Sequence, residues 1–470
     1  MSILDIFMYD DLLAVINDKG EKVTYKELHF FSDILYTKIN HRCLVFCLCQ
    51  NSIDSIKGYV SFLNNKVVPL MLDANLEIDF LINFIKIYKP EFLWIPQKRM
   101  EDFPQDEIIF SSDEYCLIKL QTDSIFPMHD DLALLLTTSG STGSPKLVRL
   151  SYDNVLANAQ SIAKYLSISF MERPITTLPM YYSFGLSIIN SHLLKGATLL
   201  LTSYSIIQKE FWNFLKTEQA TSLSGVPYTY EILKRLRFFR MDLPSIKTLT
   251  QAGGKLNVEL NREFAEYCQS TDRSFFAMYG QTEATARMSY LPCQQSISKL
   301  GSIGIAIPGG EFYLIDENGD VINEYDRVGE LVYLGKNVSL GYAECGDDLM
   351  LGDENYGTLY TGDLAKMDTD KYYYIVGRKK RFIKLFGNRV NLDETEQLLK
   401  SLILDCACTG VDDKMVIFIT EAERLDEVKK YISTKTGINY SGFEVKYVDT
   451  IPKNSSGKTI YSKLEINGIS

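Results

Sequence analysis

The sequence predicts an α/β fold in a large N-terminal part, a small antiparallel β subdomain within it, and a small α+β segment at the C-terminal end. Strand–helix alternation predicts the first. The apolar run Val67–Met71 precedes the amphipathic stretch Glu77–Tyr88, and Gly196–Leu201 precedes Ile206–Thr217. Such alternation implies parallel strands whose crossover helices flank the sheets. A change of texture predicts the second. Between residues 311 and 376 short strands (Phe312–Ile315, Glu330–Leu334, Tyr372–Val376) are separated by Gly- and Asp-rich turns such as Asp316-Glu317-Asn318-Gly319. That is the pattern of antiparallel β structure. The charged run Gly377–Arg381 then punctuates the chain, and a mixed pattern follows it to residue 470. The expected division is 1–379 and 380–470.

Composition narrows the function classes. Among 470 residues, 49 are Lys or Arg and 60 are Asp or Glu, a formal charge of −11. That balance argues against nucleic acid as a partner bound through counterion release. No run approaches the about 18 apolar residues of a membrane-spanning helix, so no integral membrane segment is expected. The first residues, Met1-Ser2-Ile3-Leu4-Asp5, carry no basic region and do not read as a secretory signal. Nine cysteines and four scattered histidines fit a reducing compartment, and the cytoplasm is expected. Cys43, Cys47 and Cys49 fall on one face of an apolar strand. With no Cys-x-x-Cys pair or supporting histidine, they read as buried thiols rather than metal ligands.

The strongest local feature is a loop. The apolar strand around Leu134–Leu136 runs into Thr137-Thr138-Ser139-Gly140-Ser141-Thr142-Gly143-Ser144 and then Pro145-Lys146. A helix is expected soon after, over Asn154–Tyr165, with Ser151 as its cap. Glycines allow close backbone approach, and successive N–H groups with hydroxyls make an anion nest suited to polyphosphate. The spacing is not that of the Gly-x4-Gly-Lys-Ser/Thr phosphate loop, and no Gly-x-Gly-x-x-Gly is present.

This loop resembles the Thr/Ser-Gly-Ser/Thr-Thr-Gly-x-Pro-Lys loop of the adenylate-forming superfamily: acyl- and aryl-CoA synthetases, peptide-synthetase adenylation domains and luciferases. The likeness recurs in order. Tyr279-Gly280-Gln281-Thr282-Glu283 is similar to that family's Tyr-Gly-x-Thr-Glu. Gly329-Glu330-Leu331 with Gly341-Tyr342, then Tyr360-Thr361-Gly362-Asp363, follow its pattern. So do Gly377-Arg378, Ile383-Lys384, Gly387 and the Ile451-Pro452-Lys453…Gly457-Lys458 stretch.

The resemblance implies a reaction and a set of roles. A carboxylic acid is activated as acyl-AMP at the expense of ATP, and the acyl group passes to a thiol of CoA or of a carrier protein's phosphopantetheine. Ser139, Ser141, Thr142 and Lys146 would hold the β- and γ-phosphates, and Thr138, Gly140 and Gly143 would belong to the same ATP-binding loop. Thr282 would donate to the α-phosphate, and Glu283 would bind Mg2+. Tyr279 would offer its face to the adenine, Gly280 and Gly253 would belong to the ATP/AMP-binding site, and Asp363 and Arg378 would reach the ribose. Lys458 would be the catalytic lysine that bridges the substrate carboxylate and the α-phosphate. The C-terminal domain would be mobile and rotate about Lys380, with Lys384 and Gly387 along the thiol tunnel.

The acid pocket implied by the resemblance comprises Tyr182, Ser183, Gly225, Val226, Ala252 and Gly254. Tyr182 stands where many acyl-CoA synthetases have histidine, near where amino-acid-activating members carry an aspartate. The pocket reads as mostly uncharged and suits an acyl or aryl acid as the small-molecule partner. Two alternatives remain: an amino-acid-activating ligase charging a carrier protein, and a nucleotide-binding protein acting by interaction alone. The presence of both Glu283 and Lys458 weighs against the last. On their own, the turn-like Thr-Gly-Asp around Asp363 and the basic run at Arg378 carry no such meaning.

Overall fold

A computed structural model describes residues 6–121, 124–137, 146–379, 381–385, 388–400, 402–411, 414–436, 439–453 and 459–465. By contact the chain separates into two compact units. One comprises Met1–Leu300, Ile305–Glu311 and Tyr333–Leu359, the other Gly301–Gly304, Phe312–Val332 and Tyr360–Ser470. The antiparallel strands therefore group largely with the C-terminal residues.

The first unit holds two large sheets. Six strands of the first run parallel in the order Ser274–Tyr279, Thr248–Gln251, Ser222–Gly225, Pro174–Ile175, Leu199–Leu201, Leu13–Asn17. Antiparallel strands close its ends, Ser289–Tyr290 and Ile305–Ala306 on one side and Lys22–Thr24 on the other. The second sheet has a parallel centre of Leu132–Thr137, Val68–Asp73, Leu44–Cys49 and Phe92–Pro96. Every residue of Leu44–Cys49 is buried, as expected of a strand covered on both faces. The helix expected over 77–88 is Ile78–Tyr88, and that expected over 206–217 starts later, at Lys209–Thr217.

The loop region departs from the expected strand–loop–helix order. A further strand, Leu147–Ser151, lies antiparallel to Leu132–Thr137, so residues 138–145 join two neighbouring strands. All five of its residues are buried. Its other neighbour is Gly341–Ala343, far away in sequence, and no local periodicity reveals such a partner. Ser151 caps the helix as expected. Its side chain accepts from the Asn154 N–H, and the Asn154 side chain returns the bond to complete a capping box before Tyr152–Tyr165.

Most of the sheet of Gly310–Ile315, Val321–Ile322, Gly329–Gly335, Thr358–Met367 and Tyr373–Arg378 belongs to the second unit. Its outer pairs are antiparallel. Further on, the hairpin Phe382–Leu385/Asn388–Asn391 and the sheet Cys406–Val411, Lys414–Ile419, Phe443–Tyr447 share an apolar core with the helices Leu392–Leu399 and Leu425–Thr436. Arg381 anchors this part. Its guanidinium pairs with Asp393 (2.6 Å) and Glu396 (2.7 Å) and stacks 3.8 Å over the Tyr461 ring. Burial pushes the Glu396 carboxyl up despite that partner.

Cys43, Cys47 and Cys49 pack in one apolar cluster, as their spacing suggests, and burial pushes all three thiols up. The fold also brings His41 and Glu91 to Cys43, with one ligand-type atom of each within 4.8 Å of the others. The fold thus places a histidine side chain near Cys43 that the sequence does not predict. His41 Nε2 and Glu91 Oε2 are 2.9 Å apart, a hydrogen bond.

His192 yields a pH prediction. It is buried on the helix Ser183–Leu193 with Nδ1 2.8 Å from the Ile188 carbonyl. Burial, reinforced by the charge of Arg287, pulls its pKa from 6.5 to about 4. Between these values the unfolded chain binds the proton and the folded chain does not. Stability therefore falls as pH drops through 6.5, by about 2 kcal/mol at pH 5 from this group. Urea unfolding at pH 7 and pH 5 should show that loss shrink in His192→Gln. An equal loss in both proteins would refute the assignment.

Candidate active site

Three adjacent parallel strands, Ser222–Gly225, Thr248–Gln251 and Ser274–Tyr279, end at the same edge. The residues that follow them are Val226, then Ala252-Gly253-Gly254, then Gly280-Gln281-Thr282-Glu283. Segments distant in sequence thus meet at the carboxyl edge of one parallel sheet. Open α/β sheets bind their ligands there, because loops leaving the strands on either side leave a crevice between them.

Two glycines are required by close approach. A Cβ on Gly280 would lie 1.7 Å from the Ala286 carbonyl oxygen, so the turn into Thr282–Ala284 admits no side chain. Gly253 has φ +83°, and a Cβ there would meet the Tyr182 hydroxyl at 2.7 Å. Tyr182, Val226 and Ala252 belong to one apolar cluster with Leu178, Phe184, Ile188, Phe276 and Met278. The fold therefore assembles expected acid-pocket residues beside Gly253. Burial pushes the Tyr182 phenol up to about 12, so it stays protonated at neutral pH. Ser183 begins the helix Ser183–Leu193, and its Oγ lies 3.1 Å from Thr282 Oγ1. Tyr279 closes its strand half-buried, with its phenol oxygen accepting from Gln281 Nε2 at 3.2 Å.

Glu283 and Lys146 meet through Tyr342, whose role the sequence does not reveal. The Tyr342 hydroxyl donates to Glu283 Oε1 at 2.8 Å, and Lys146 Nζ sits 3.8 Å over the Tyr342 ring. Lys146 also approaches Glu344 Oε1 at 3.4 Å. Tyr342 lies opposite Val148 in the second sheet, whereas Glu283 follows a strand of the first. One aromatic side chain thus links a carboxylate of one sheet to a cation of the other. Burial, and then the Glu283 charge, push the Tyr342 phenol up, which keeps it a donor.

Behind Tyr342 stands Arg149, fully buried on Leu147–Ser151. It donates to the carbonyls of Tyr342 (2.9 Å), Leu340 (3.3 Å), Gly352 (3.2 Å) and Leu351, and pairs with Glu354. Burial lowers its pKa from the usual guanidinium range, and Glu354 opposes that. Gly341, at φ +131°, makes room for this arrangement, since a Cβ there would meet Glu354 at 2.4 Å and Arg149 at 2.9 Å.

In the second unit, Asp363 and Arg378 face each other across antiparallel strands. Arg378 Nε donates to Asp363 Oδ1 at 3.1 Å; the aspartate is buried and the arginine exposed. Asp363 is therefore a strand residue with its backbone N–H held by Thr361 Oγ1, not a solvated turn aspartate. Lys384 lies on Phe382–Leu385, in register with Arg389. Thr138, Ser139, Gly140, Ser141, Thr142, Gly143, Lys380, Gly387 and Lys458, expected at the site from the sequence, lie outside the described residues. The neighbours of the last stretch are placed. Lys453 and Thr459 form an antiparallel bridge, and the Tyr461 hydroxyl donates to Glu396 at 3.0 Å.

The sequence profile of one protein family, described as AMP-binding enzyme, matches residues 8–343. The chain belongs to that family. It is 27% identical over 347 residues to a feruloyl-CoA synthase of an Amycolatopsis species, covering 70% of this chain and 69% of that protein. It is 30% identical over 356 residues to a probable CoA ligase of Humulus lupulus, covering 71% of this chain and 63% of that one. Among solved structures, the O-succinylbenzoate coenzyme A synthetase of Bacillus subtilis in complex with AMP superposes with a TM-score of 0.80 at 21% identity, over 98% of this chain and 97% of that one. At that identity the likeness shows the fold. The same enzyme in complex with ATP and magnesium ion gives 0.79 at 21% identity, over 98% of each chain. Among the described residues no helix is long and apolar enough to cross a membrane.

Proposed function

We propose that this chain is an ATP-dependent acid–thiol ligase. In the first half-reaction a carboxylate oxygen attacks the α-phosphorus of ATP. The new P–O bond forms as the bond to the bridging oxygen breaks, and pyrophosphate leaves an acyl-adenylate. In the second, a thiolate attacks the acyl carbon and AMP departs. The thiol is that of CoA or of a carrier protein's phosphopantetheine, and relatives named as CoA synthase and CoA ligase support CoA.

The observation that carries this reading is the carboxyl edge where Thr282, Glu283 and the Tyr182–Gly253–Val226 cluster converge. Thr282, held by Ser183, offers a hydroxyl to the α-phosphate. Lys146 faces the phosphates as a cation, together with Thr138, Ser139, Gly140, Ser141, Thr142 and Gly143. Asp363, fixed by Arg378, accepts from ribose hydroxyls. Lys458 joins the carboxylate and α-phosphate during adenylation. Residues 380–470 move between the half-reactions with Lys380 as pivot, bringing Lys384 and Gly387 to the thiol path.

Glu283 suits Mg2+. It is one carboxylate, already oriented by Tyr342, and among the described residues it belongs to no cluster of three or more metal-ligating side chains. A hard ion that keeps several waters and takes one or two carboxylates plus phosphate oxygens matches that donor set. Bound there, the ion would neutralise phosphate charge.

The cytoplasm is the proposed compartment. Acid-dependent exchange of labelled pyrophosphate into ATP tests the activity. Exchange that requires both an added carboxylic acid and Mg2+ is the expected result. Failure of every acid in a broad panel, amino acids included, would overturn the reading.

A further inference from the structure

Among the described residues, Arg287 is a fully enclosed guanidinium next to the acid cluster with no role in the proposed half-reactions. It is 2% exposed. Its backbone carbonyl accepts from Asn158 Nδ2 (2.9 Å) and Asn337 Nδ2 (3.2 Å), which fixes where the side chain starts. The head group donates from Nη1 to the Tyr165 hydroxyl (3.1 Å) and reaches Met278 Sδ (3.4 Å). Its central carbon lies 5.0 Å from the Phe184 ring centroid. Nε is buried with no partner. Among the described residues no carboxylate pairs with it.

Those contacts locate the charge. Phe184 and Met278 are members of the cluster that contains Val226 and Ala252, and Tyr165 and Tyr182 pack against it. The cluster follows the carboxyl edge where the acid is proposed to bind. The sequence alone predicts a mostly uncharged pocket, and the fold places a permanent cation beside it. The reason is visible in the chain. Arg287 comes four residues after Glu283, and the turn at Thr282–Ala284, with Thr285 at φ +66°, sends the following segment back to Ser289–Tyr290 beside Ser274–Tyr279.

A guanidinium is always protonated and carries five donors in a fork that matches a carboxylate. Buried charges are ordinarily paired, because removal from water is costly and a phenol with a thioether replaces little of the lost hydration. We infer that Arg287 is a specificity-determining residue of the acid site, and that the acid this chain activates carries a second carboxylate, which the guanidinium holds while the first is adenylated. The inference rests on the ligase reading above.

Matched acid pairs in the pyrophosphate exchange assay test it. Each pair is a dicarboxylic acid and the monoacid of equal length that ends in a methyl group instead. Wild-type enzyme should favour the diacid in kcat/KM on the order of a hundredfold or more, chiefly through KM, because a site built for a polar group is left unpaired by its apolar analogue. Arg287→Met should reduce that preference to within a few fold, and Arg287→Lys should retain part of it. The wild-type pairs decide the matter even if the variants fold poorly, and thermal unfolding checks whether they do. Equal or better exchange with the methyl-ended acids would overturn the inference and leave the ligase reading standing. No exchange with any acid would overturn both.

Discussion

Replacing Lys458 with alanine is expected to abolish acid-dependent ATP–pyrophosphate exchange while leaving transfer from a supplied acyl-adenylate to a thiol largely intact. The two half-reactions place different demands on charge. Adenylation brings an anionic carboxylate to an anionic phosphate, so a cation bridging them lowers the repulsion in the transition state most. Thiolation starts from an acyl-adenylate whose acyl carbon is uncharged, and needs no such bridge. Loss of one preorganised electrostatic contact costs about a hundredfold to a thousandfold in rate. The split between half-reactions is the informative readout, measured as exchange against thiol-dependent release of AMP. Equal loss in both would contradict the role, and unchanged exchange would remove Lys458 from the mechanism.

Replacing Arg149 with methionine is expected to be the most damaging of the substitutions considered for stability, at about 3 kcal/mol, measured by urea unfolding, because carbonyl acceptors lose a buried donor. Methionine fills much of the volume but removes the guanidinium donor from the carbonyls of Tyr342, Leu351 and Gly352, and leaves that of Leu340 with the Glu354 N–H alone. It also frees Glu354 from its partner. The effect extends to chemistry, because Arg149 holds the Tyr342 carbonyl and Tyr342 holds Glu283. Exchange should fall further than unfolding accounts for at temperatures where the variant is still folded. Arg149→Lys keeps the charge without the fork and should fall between. A loss below 1 kcal/mol would show that water can replace the guanidinium there.

Much of the architecture is legible in the chain because its signals are local. The run Leu44–Cys49 is buried on both faces and reads as a continuous apolar stretch. Ser151 and Asn154 cap their helix with side chains three residues apart. The strand Leu147–Ser151 is different, because its neighbours Leu132–Thr137 and Gly341–Ala343 are supplied by distant pairing. The contact of His41 and Glu91 with Cys43 likewise comes from two strands lying side by side.

The sequence by itself determined the alternation of strands and helices, the antiparallel insert and the ordered motifs that mark the AMP-binding enzyme family. It did so because periodicity, capping and glycine-rich turns act within a few residues. Only the tertiary structure decided that Tyr342 joins Glu283 to Lys146, that Asp363 meets Arg378 across a strand pair, and that Arg287 is buried beside the acid cluster. Each is a statement about what a charge faces. The cost of a buried charge depends on partners that the fold brings from afar, and no window of neighbouring residues contains them.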